Sequence, residues 1–150
     1  MTINFDMFSV IVPVYNSEKT IIKTLNCVVP LANKGINVFI SDNCSTDRTK
    51  KILKTYESVE NFTIIYQKKN YGFENFLFLL EKVKTKWVLP IGSDDYLINA
   101  EILINEFNSA LKNSNNVGMS FNSNFIYSNK LVADKSNVSL IGNKFKRFTK

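Results

Sequence analysis

Residues 87–95 read Trp-Val-Leu-Pro-Ile-Gly-Ser-Asp-Asp, and this stretch decides the fold. The apolar run Trp87–Ile91 has the length and composition of a buried strand. It leads through a glycine and a serine into the adjacent carboxylates Asp94 and Asp95. Open α/β sheets bind ligands at the carboxyl ends of their strands, and adjacent carboxylates there are stabilised by a cation. The stretch therefore predicts a parallel sheet with a ligand site at one end.

The residue types restrict the chemistry of that site. Carboxylate oxygens suit Mg²⁺ or Mn²⁺, which can bridge to phosphate oxygens. The chain contains no histidine, so histidine bases and histidine-ligated metals are excluded from it. Cys27 and Cys44 are too few and too far apart to indicate a disulfide framework or a zinc site. A solvated turn without metal is the alternative interpretation of the Asp94–Asp95 pair.

Composition indicates a globular domain. The chain has 150 residues and a hydrophobic content of 45%, which suits one domain with its own core. It shows neither a membrane-spanning apolar run nor a secretory signal, so we expect a cytoplasmic protein. The net charge of +6 comes mostly from scattered lysines, typical of a solvated surface. An anionic substrate or an anionic membrane would also explain it, whereas no nucleic-acid-binding motif is present.

Apolar runs alternate with amphipathic segments through most of the chain. The pattern predicts strands over residues 8–14, 37–41, 62–66 and 87–91 and helices over 20–29, 47–56, 72–83 and 100–111. Pro30 and Gly35 should end the first helix, and Ser45 or Thr46 should cap the second. One or two further strands are expected near 117–121 and 125–127, followed by a loop and basic tail over 130–150. Four strand–helix units predict a mostly parallel sheet flanked by helices, in one domain over 1–150 with its core at 8–127.

Three loops are expected at the same end of this sheet. They follow the first, second and fourth strands and cover residues 13–16, 42–47 and 92–95. Tyr15 offers a flat face for a nucleobase, although it could simply pack beside Pro13. Asp42 and Asn43 can hydrogen-bond a base edge or a ribose. The residues that follow, Ser45, Thr46 and Asp47, have the character of helix caps.

The loops lack a glycine-rich phosphate cradle, since neither a GxGxxG nor a Walker sequence is present. Charge on a bound phosphate must then be met by a metal. Asp94 can reach a ribose or a metal, and Asp95 is placed to hold a metal on a diphosphate. The constellation indicates a nucleotide-diphosphate donor.

Four segments, in order, resemble the signature of family 2 glycosyltransferases with the GT-A fold, a Rossmann-like α/β class. They are residues 8–16, 40–49, 70–72 and 89–95, and the resemblance covers roughly residues 8–127. It implies that Tyr15 packs on the base, that Asp42 and Asn43 read it, and that Asn70 and Gly72 form a loop over the donor. The full set implied for the nucleotide is Pro13, Tyr15, Asn16, Asp42, Asn43, Asn70 and Asp94, with Asp95 and Asp94 for the metal.

The sequence departs from the family pattern at three positions. Gly92 stands where many members carry an aspartate, Asn43 replaces a second aspartate, and Cys44 replaces a glycine. An aspartate at position 43 would accept from uracil N3–H, whereas asparagine both donates and accepts. The donor therefore stays open among UDP-, dTDP- and GDP-sugars.

The resemblance implies inverting transfer of a sugar to a glycan or lipid-linked acceptor, with a carboxylate base that lies well downstream of the metal aspartates. We do not expect this base within the chain. We expect the chain to be a donor-binding part that is truncated before the acceptor-binding part. A nucleotide-sugar-binding module without turnover is the alternative. A nucleotidyltransferase is a third hypothesis, but it would need a glycine-rich loop where residues 15–18 stand.

Two partner hypotheses follow from the truncation. A sheet that lacks its last strands would expose apolar surface and favour a homodimer. The basic, aromatic residues 144–148 could touch the inner face of an anionic membrane, or could simply begin an interrupted helix.

Overall fold

The computed structural model describes residues 8–97 and 99–111 and four short segments at 118–120, 125–127, 130–132 and 139–141, with side chains over 8–97 and 99–105. It divides into two compact units, Met1–Ala100 and Glu101–Lys150. The single domain expected over residues 1–150 stays a prediction. Each unit is described by itself. Within the described residues, no helix combines the length and the apolar character needed to cross a bilayer.

The first unit is a four-stranded parallel sheet whose strands are joined by helices. Its elements are β1 (Phe8–Val14), α1 (Ile21–Ala32), β2 (Val38–Asp42), α2 (Thr49–Lys54), β3 (Phe62–Tyr66), α3 (Glu74–Lys82) and β4 (Trp87–Pro90). The strand order is β3-β2-β1-β4, with every pair parallel. Helix α3 packs against β1 and β2, and α1 contacts α2. The predicted mostly parallel α/β sheet with helices is confirmed.

The inner strand β1 reads as a continuous apolar run because it is buried along almost its whole length. All of its residues except Pro13 are buried, and β2 is buried at four of its five positions. Strands of parallel sheets are covered on both faces, so alternation with polar residues is lost. The core continues on α1 through Ile21, Leu25, Val28 and Leu31.

Pro13 lies inside an inner strand without costing a ladder bond. The alternate residues Val10 and Val14 bond towards β2, so Pro13 faces the β4 side, as Ile11 does. The paired register with β4 runs only from Phe8↔Trp87 to Ile11↔Pro90, followed by a last bond from Ile91 N–H to Ile11 O at 2.9 Å. Since β4 has ended before Pro13 is reached, the missing N–H has no partner to lose.

The order of the strands reverses between β1 and β4. From β1 the chain moves outward to β2 and β3, then returns to place β4 on the other side of β1. Such a reversal is the point where doubly wound sheets leave a crevice at the strand ends. The loops after β1 and β4 border this crevice.

Several element boundaries differ from the sequence-based expectations. Helix α1 continues through Pro30 to Ala32, because Leu31 and Ala32 are buried, and the turn at Gly35 (φ +90°) follows it. Helix α2 begins only at Thr49, so neither Ser45 nor Thr46 caps it. Helix α3 begins two residues after Gly72.

The second unit contains α4 (Ala100–Leu111), which starts at the boundary, and two antiparallel strand pairs. Strand β5 (Gly118–Ser120) pairs with β8 (Ser139–Ile141), and β6 (Phe125–Tyr127) pairs with β7 (Lys130–Val132). The expectation of a loop and tail over 130–150 missed β7 and β8, which are too short for a periodic signal. The basic residues 144–148 lie outside the described residues.

We expect Ile11→Ala to destabilise the fold by about 2–5 kcal/mol, because it opens a cavity in the inner strand. The same change at Ile22, which is 49% exposed on α1, should stay within about 0.5 kcal/mol. Urea unfolding of both variants measures the difference. Equal losses would contradict the assignment of β1 to the centre of the core.

Candidate functional site

A cleft of about 500 Å³ opens where the strand order reverses. Its walls come from the loop after β1, the loop after β2 and the loop after β4. The lining residues are Tyr15, Asn16, Ser17, Glu18, Lys19, Thr20, Asp47, Ser93 and Asp94. The three loops predicted to converge therefore do so.

Asn16 ties the loop after β1 to the loop after β2. Its backbone N–H donates to Ser45 Oγ at 2.9 Å, and its side-chain Oδ1 accepts from Thr46 N–H at 2.8 Å. The residue holds a left-handed backbone (φ +46°), a conformation that asparagine tolerates better than most side chains. Ser45 and Thr46, which the sequence suggested as helix caps, serve instead to join these two loops.

Asp47 makes a second link between the same loops. Its carboxylate accepts from Glu18 N–H at 3.1 Å and from Thr49 N–H at 2.9 Å, the latter at the first residue of α2. Partial burial raises the pKa of Asp47, but hydrogen bonds from Thr49 and Glu18 outweigh it and hold the pKa below its ordinary value of 3.8. Asp47 thus accepts a hydrogen bond from the first N–H of α2 and also lines the cleft.

Glu18 is also engaged. Its Oε2 accepts from Arg48 N–H at 2.9 Å and from Arg48 Nε at 3.2 Å. The bonds from Arg48 lower the pKa of this carboxyl. Glu18 is therefore held ionised by Arg48 from the opposite loop, and Asp47 by Thr49 at the start of α2 and by Glu18 from the opposite loop.

Ser17 connects the loop after β1 to the loop after β4. Its hydroxyl lies 2.6 Å from Ser93 Oγ and donates to Tyr15 O at 3.0 Å, while its N–H donates to Thr49 Oγ1 at 2.7 Å. The residue is 8% exposed. This buried serine therefore joins the loop after β1 to the loop after β4 and to the first residue of α2.

Helix α1 is hydrogen-bonded to the loop after β4 through Thr24 and Cys27. The buried Thr24 hydroxyl lies within hydrogen-bonding distance of Asp95 O (2.6 Å) and Ser93 O (3.1 Å). One turn later, Cys27 Sγ accepts from Leu97 N–H at 3.1 Å, and burial raises the pKa of its thiol. The turn that carries the two aspartates is thereby fixed on the core.

The carboxylates of Asp94 and Asp95 turn toward the same spot beside Gly92. A Cβ placed on Gly92 would lie 2.8 Å from Asp95 Oδ2 and 3.0 Å from Asp94 Oδ1. A side chain at position 92 would therefore require the two exposed carboxylates to move aside. Both aspartates are exposed, and carboxylate oxygens are the type of ligand that a hard divalent cation takes. Within residues 8–97 and 99–105, no third acidic or cysteine residue completes a metal cluster.

Of the predicted nucleotide residues, Tyr15, Asn16 and Asp94 line the cleft, and Tyr15 is 46% exposed. Asp95 belongs to the same turn as Asp94 and bonds through its N–H to Gly92 O.

The remaining predicted residues, Pro13, Asp42, Asn43 and Asn70, lie outside the lining of this cleft. Asp42 is buried and accepts from Ser45 N–H at 3.2 Å. Asn43 and Asn70 are hydrogen-bonded to each other at 2.8 Å. The next residue after Asn43, Cys44, has a left-handed backbone (φ +63°), which is the physical reason for glycine being favoured at this position.

Sequence reasoning missed the residues that hold the loops together: Ser17, Thr24, Ser93 and the cleft role of Asp47. Their short polar side chains carry no periodic signal, and their partners lie 29 to 76 residues away. The one available signal was the density of Ser, Thr and Asn in the three loops.

Comparison with known proteins shows similarity to glycosyltransferases. The family model for glycosyl transferase family 2 matches residues 9–126. The poly(ribitol-phosphate) beta-N-acetylglucosaminyltransferase TarS of Staphylococcus aureus is 37% identical over 100 residues, which cover 64% of this chain and 17% of TarS. The putative teichuronic acid biosynthesis glycosyltransferase TuaG of Bacillus subtilis is 33% identical over 93 residues, or 59% of this chain and 36% of TuaG.

Solved structures of S. aureus TarS share the fold. A TarS fragment in complex with UDP has a TM-score of 0.61 and 34% identity, covering 70% of this chain and 32% of that one. The complex with UDP-GlcNAc gives the same TM-score and covers 31% of its chain. This chain thus spans well under half the length of each of these relatives.

The hydrogen bonds to Asp47 predict an acid-sensitive loss of stability. Because the folded pKa lies below the ordinary 3.8, the stabilisation is present above that pH and is lost as the pH falls through the lower folded value. The free energy of unfolding should therefore decrease less steeply below about pH 4 in Asp47→Asn than in the wild-type chain. Urea unfolding from pH 6 to 3 measures it, with Asp94→Asn as the charge-matched control. An unchanged slope in the Asp47 variant would contradict the assignment.

Proposed function

This chain belongs to glycosyl transferase family 2, and on that premise we propose that it binds a nucleotide-diphosphate sugar for inverting transfer to a glycan or lipid-linked acceptor. The observation that carries the proposal is the cleft at the strand-order reversal. Tyr15 and Asp94 face this cleft from two different loops, which are joined through Ser17 and Ser93. A flat ring and a carboxylate on opposite loops suit the base and the ribose of a nucleoside.

We propose a uridine diphosphate sugar as the donor. S. aureus TarS, 34% identical over the shared region, has been solved with UDP and with UDP-GlcNAc. In this chain Tyr15 would stack on the base, Asp94 would hold the ribose hydroxyls, and Asn16 would form part of the cleft wall. The thymidine and guanosine sugars are the competing donors.

The charge in the cleft supports a metal-dependent site. Glu18, Asp47 and Asp94 line it, against Lys19 as the one cationic side chain among the lining residues. Glu18 is paired with Arg48 and Asp47 with backbone N–H groups, so Asp94 and Asp95 are the carboxylates that would repel a diphosphate unless a cation accompanies it. We propose that Asp95 and Asp94 hold Mg²⁺ or Mn²⁺, which would neutralise charge on the leaving diphosphate.

The carboxylates of the cleft wall are poorly suited to act as the general base. Glu18 and Asp47 accept hydrogen bonds that lower their pKa, which weakens them as proton acceptors. Their oxygens are also directed at the neighbouring loop. We propose that the base which deprotonates the acceptor hydroxyl lies outside residues 8–105, in the acceptor-binding part.

The acceptor is proposed from relatives. The names of TarS and of the Escherichia coli glucosyltransferase WfaP give a poly(ribitol-phosphate) and a diphosphoundecaprenol-linked sugar as their substrates. A glycan or lipid-linked acceptor for this chain is consistent with both. A lipid-linked acceptor would bring it to the inner face of the membrane as a peripheral protein.

A nucleotide-sugar-binding module without turnover is the second candidate. It is favoured by the absence of a suitable base among the described carboxylates of the cleft. Calorimetric titration with UDP, dTDP and GDP, each with Mn²⁺ and with chelator, tests donor binding. Release of UDP from UDP-GlcNAc, with and without a lipid-linked acceptor, then separates turnover from binding alone. Absence of nucleotide binding by folded protein would overturn both candidates.

Asp95→Ala should remove the metal-dependent part of nucleotide binding. Because one of two converging carboxylates is lost, we expect the affinity for UDP in Mn²⁺ to fall to the level measured with chelator, a loss of at least about tenfold. Calorimetry measures it, with the exposed Glu60→Ala as the control for lost charge. Persistence of the full Mn²⁺ effect would show that Asp95 does not hold the metal.

Tyr15→Ala should weaken UDP binding whether or not metal is present. Stacking of a base on an aromatic ring contributes about 1–3 kcal/mol, or roughly a fivefold to hundredfold change in affinity. Tyr15→Phe keeps the ring and should retain most of the affinity. Equal affinities for the wild-type chain and Tyr15→Ala would remove the stacking role.

A further inference from the structure

A second groove, of about 430 Å³, lies between α1 and α2. Its apolar side chains are Ile22 from α1, Ile52 from α2 and Tyr56 from the turn after α2. Ile22 is 49% exposed, and the other two are half-buried. The Tyr56 hydroxyl donates to Asn26 Oδ1 at 2.8 Å, so the polar end of this side chain is satisfied within the protein. We call this surface the α1–α2 groove.

Basic side chains border the α1–α2 groove. Arg48 and Lys51 line it, and Lys54 is exposed on the next turn of α2. Arg48 is paired with Glu18, whereas no carboxylate among the described side chains pairs with Lys51 or Lys54. Residues 16–56 contain seven basic and three acidic residues, so this part of the chain carries most of the net charge of +6.

The combination of apolar and cationic side chains identifies the class of partner. Surfaces that lie on anionic bilayers place apolar side chains among the acyl chains and lysine ammonium groups at the lipid phosphates. A soluble polyanion would be bound by the cations alone and would bury nothing against Ile22 and Ile52. The chemistry of the groove therefore favours an anionic lipid surface over a phosphate polymer.

We propose that the α1–α2 groove is the surface through which this protein contacts an anionic lipid bilayer. The inference rests on the proposed function, because a lipid-linked acceptor would give this contact its use. Glu18 lines both the groove and the candidate donor cleft. Contact through the groove would hold the cleft beside the bilayer surface, where the sugar-bearing end of a lipid-linked acceptor lies.

The first experiment is sedimentation of the whole chain with two kinds of vesicle, one of phosphatidylglycerol and phosphatidylcholine in equal parts and one of phosphatidylcholine alone. We expect the wild-type chain to bind the anionic vesicles. Lys51→Glu reverses a charge in the groove and should weaken this binding on the order of tenfold. The matched control is Lys84→Glu. Lys84 is equally exposed but precedes β4, at the opposite end of the sheet from the site loops, so binding should change much less.

Three results would overturn the proposal. The first is equal binding of the wild-type chain to both kinds of vesicle, or binding to neither. The second is an equal loss in Lys51→Glu and Lys84→Glu, because only net charge would then matter. The third is binding of soluble polyphosphate as tight as that of the anionic vesicles and equally weakened by Lys51→Glu, which would identify the partner as a polyanion.

A fluorescence measurement tests the apolar part of the contact. The new indole of Ile22→Trp should be quenched by anionic vesicles whose acyl chains are brominated. The wild-type chain, with Trp87 as its single tryptophan, supplies the baseline. Leu77→Trp is the control, because Leu77 is 44% exposed on α3 and should remain unquenched. Quenching at position 77 alone, or at neither position, would contradict contact through the groove.

Neither vesicle measurement requires nucleotide, so the inference and the proposed function can fail separately. Lys51 does not line the donor cleft, and Lys51→Glu should bind UDP as the wild-type chain does. If the wild-type chain binds no nucleotide, the proposed function fails, and the vesicle measurements still decide whether the α1–α2 groove contacts lipid.

Discussion

Hydrogen bonds between the loop after β1 and its two neighbours are the interactions on which the candidate site depends. Asn16 and Glu18 meet the loop after β2, and Ser17 meets Ser93 after β4. A single bond of this kind contributes only about 1 kcal/mol net. Together they fix the backbone of three segments that are distant in sequence, so Tyr15 and Asp94 face one cleft. The sheet leaves room for this cleft, because the pairing of β4 with β1 ends before Pro13.

The distribution of charge follows from the same bonds. Glu18 and Asp47 are engaged by backbone N–H groups and by Arg48, and their charge is met within the loops. Among the residues whose side chains the structure describes, no hydrogen bond or ion pair is made to the carboxylates of Asp94 and Asp95. These two lie beside Gly92 and are the carboxylates that we propose for the cation. The carboxylates of Glu18 and Asp47 therefore hold the loops together, whereas those of Asp94 and Asp95 take no part in holding them.

The sequence predicted the first unit well because its signals are local. Apolar runs marked all four strands, and the strand ends located Tyr15 and Asp94. Pro30 was misjudged as a helix end because burial of Leu31 and Ala32 overrides a local breaker. Ser45 and Thr46 were misjudged as caps because their partner, Asn16, lies about 30 residues away. The hydrogen bonds of Asn43 to Asn70, Tyr71 and Gly72 could not be predicted for the same reason, since the orientation of an amide depends on tertiary contacts.

The central claim, that the loops after β1, β2 and β4 form one donor crevice, can be tested directly by NMR. The ¹⁵N-labelled chain would be titrated with UDP in the presence of Mg²⁺, which is diamagnetic. The account predicts that amide signals of residues 15–17, 45–47 and 93–95 shift together and fit one dissociation constant. Shifts confined to a single loop, or shifts elsewhere in the chain with these loops unchanged, would contradict it.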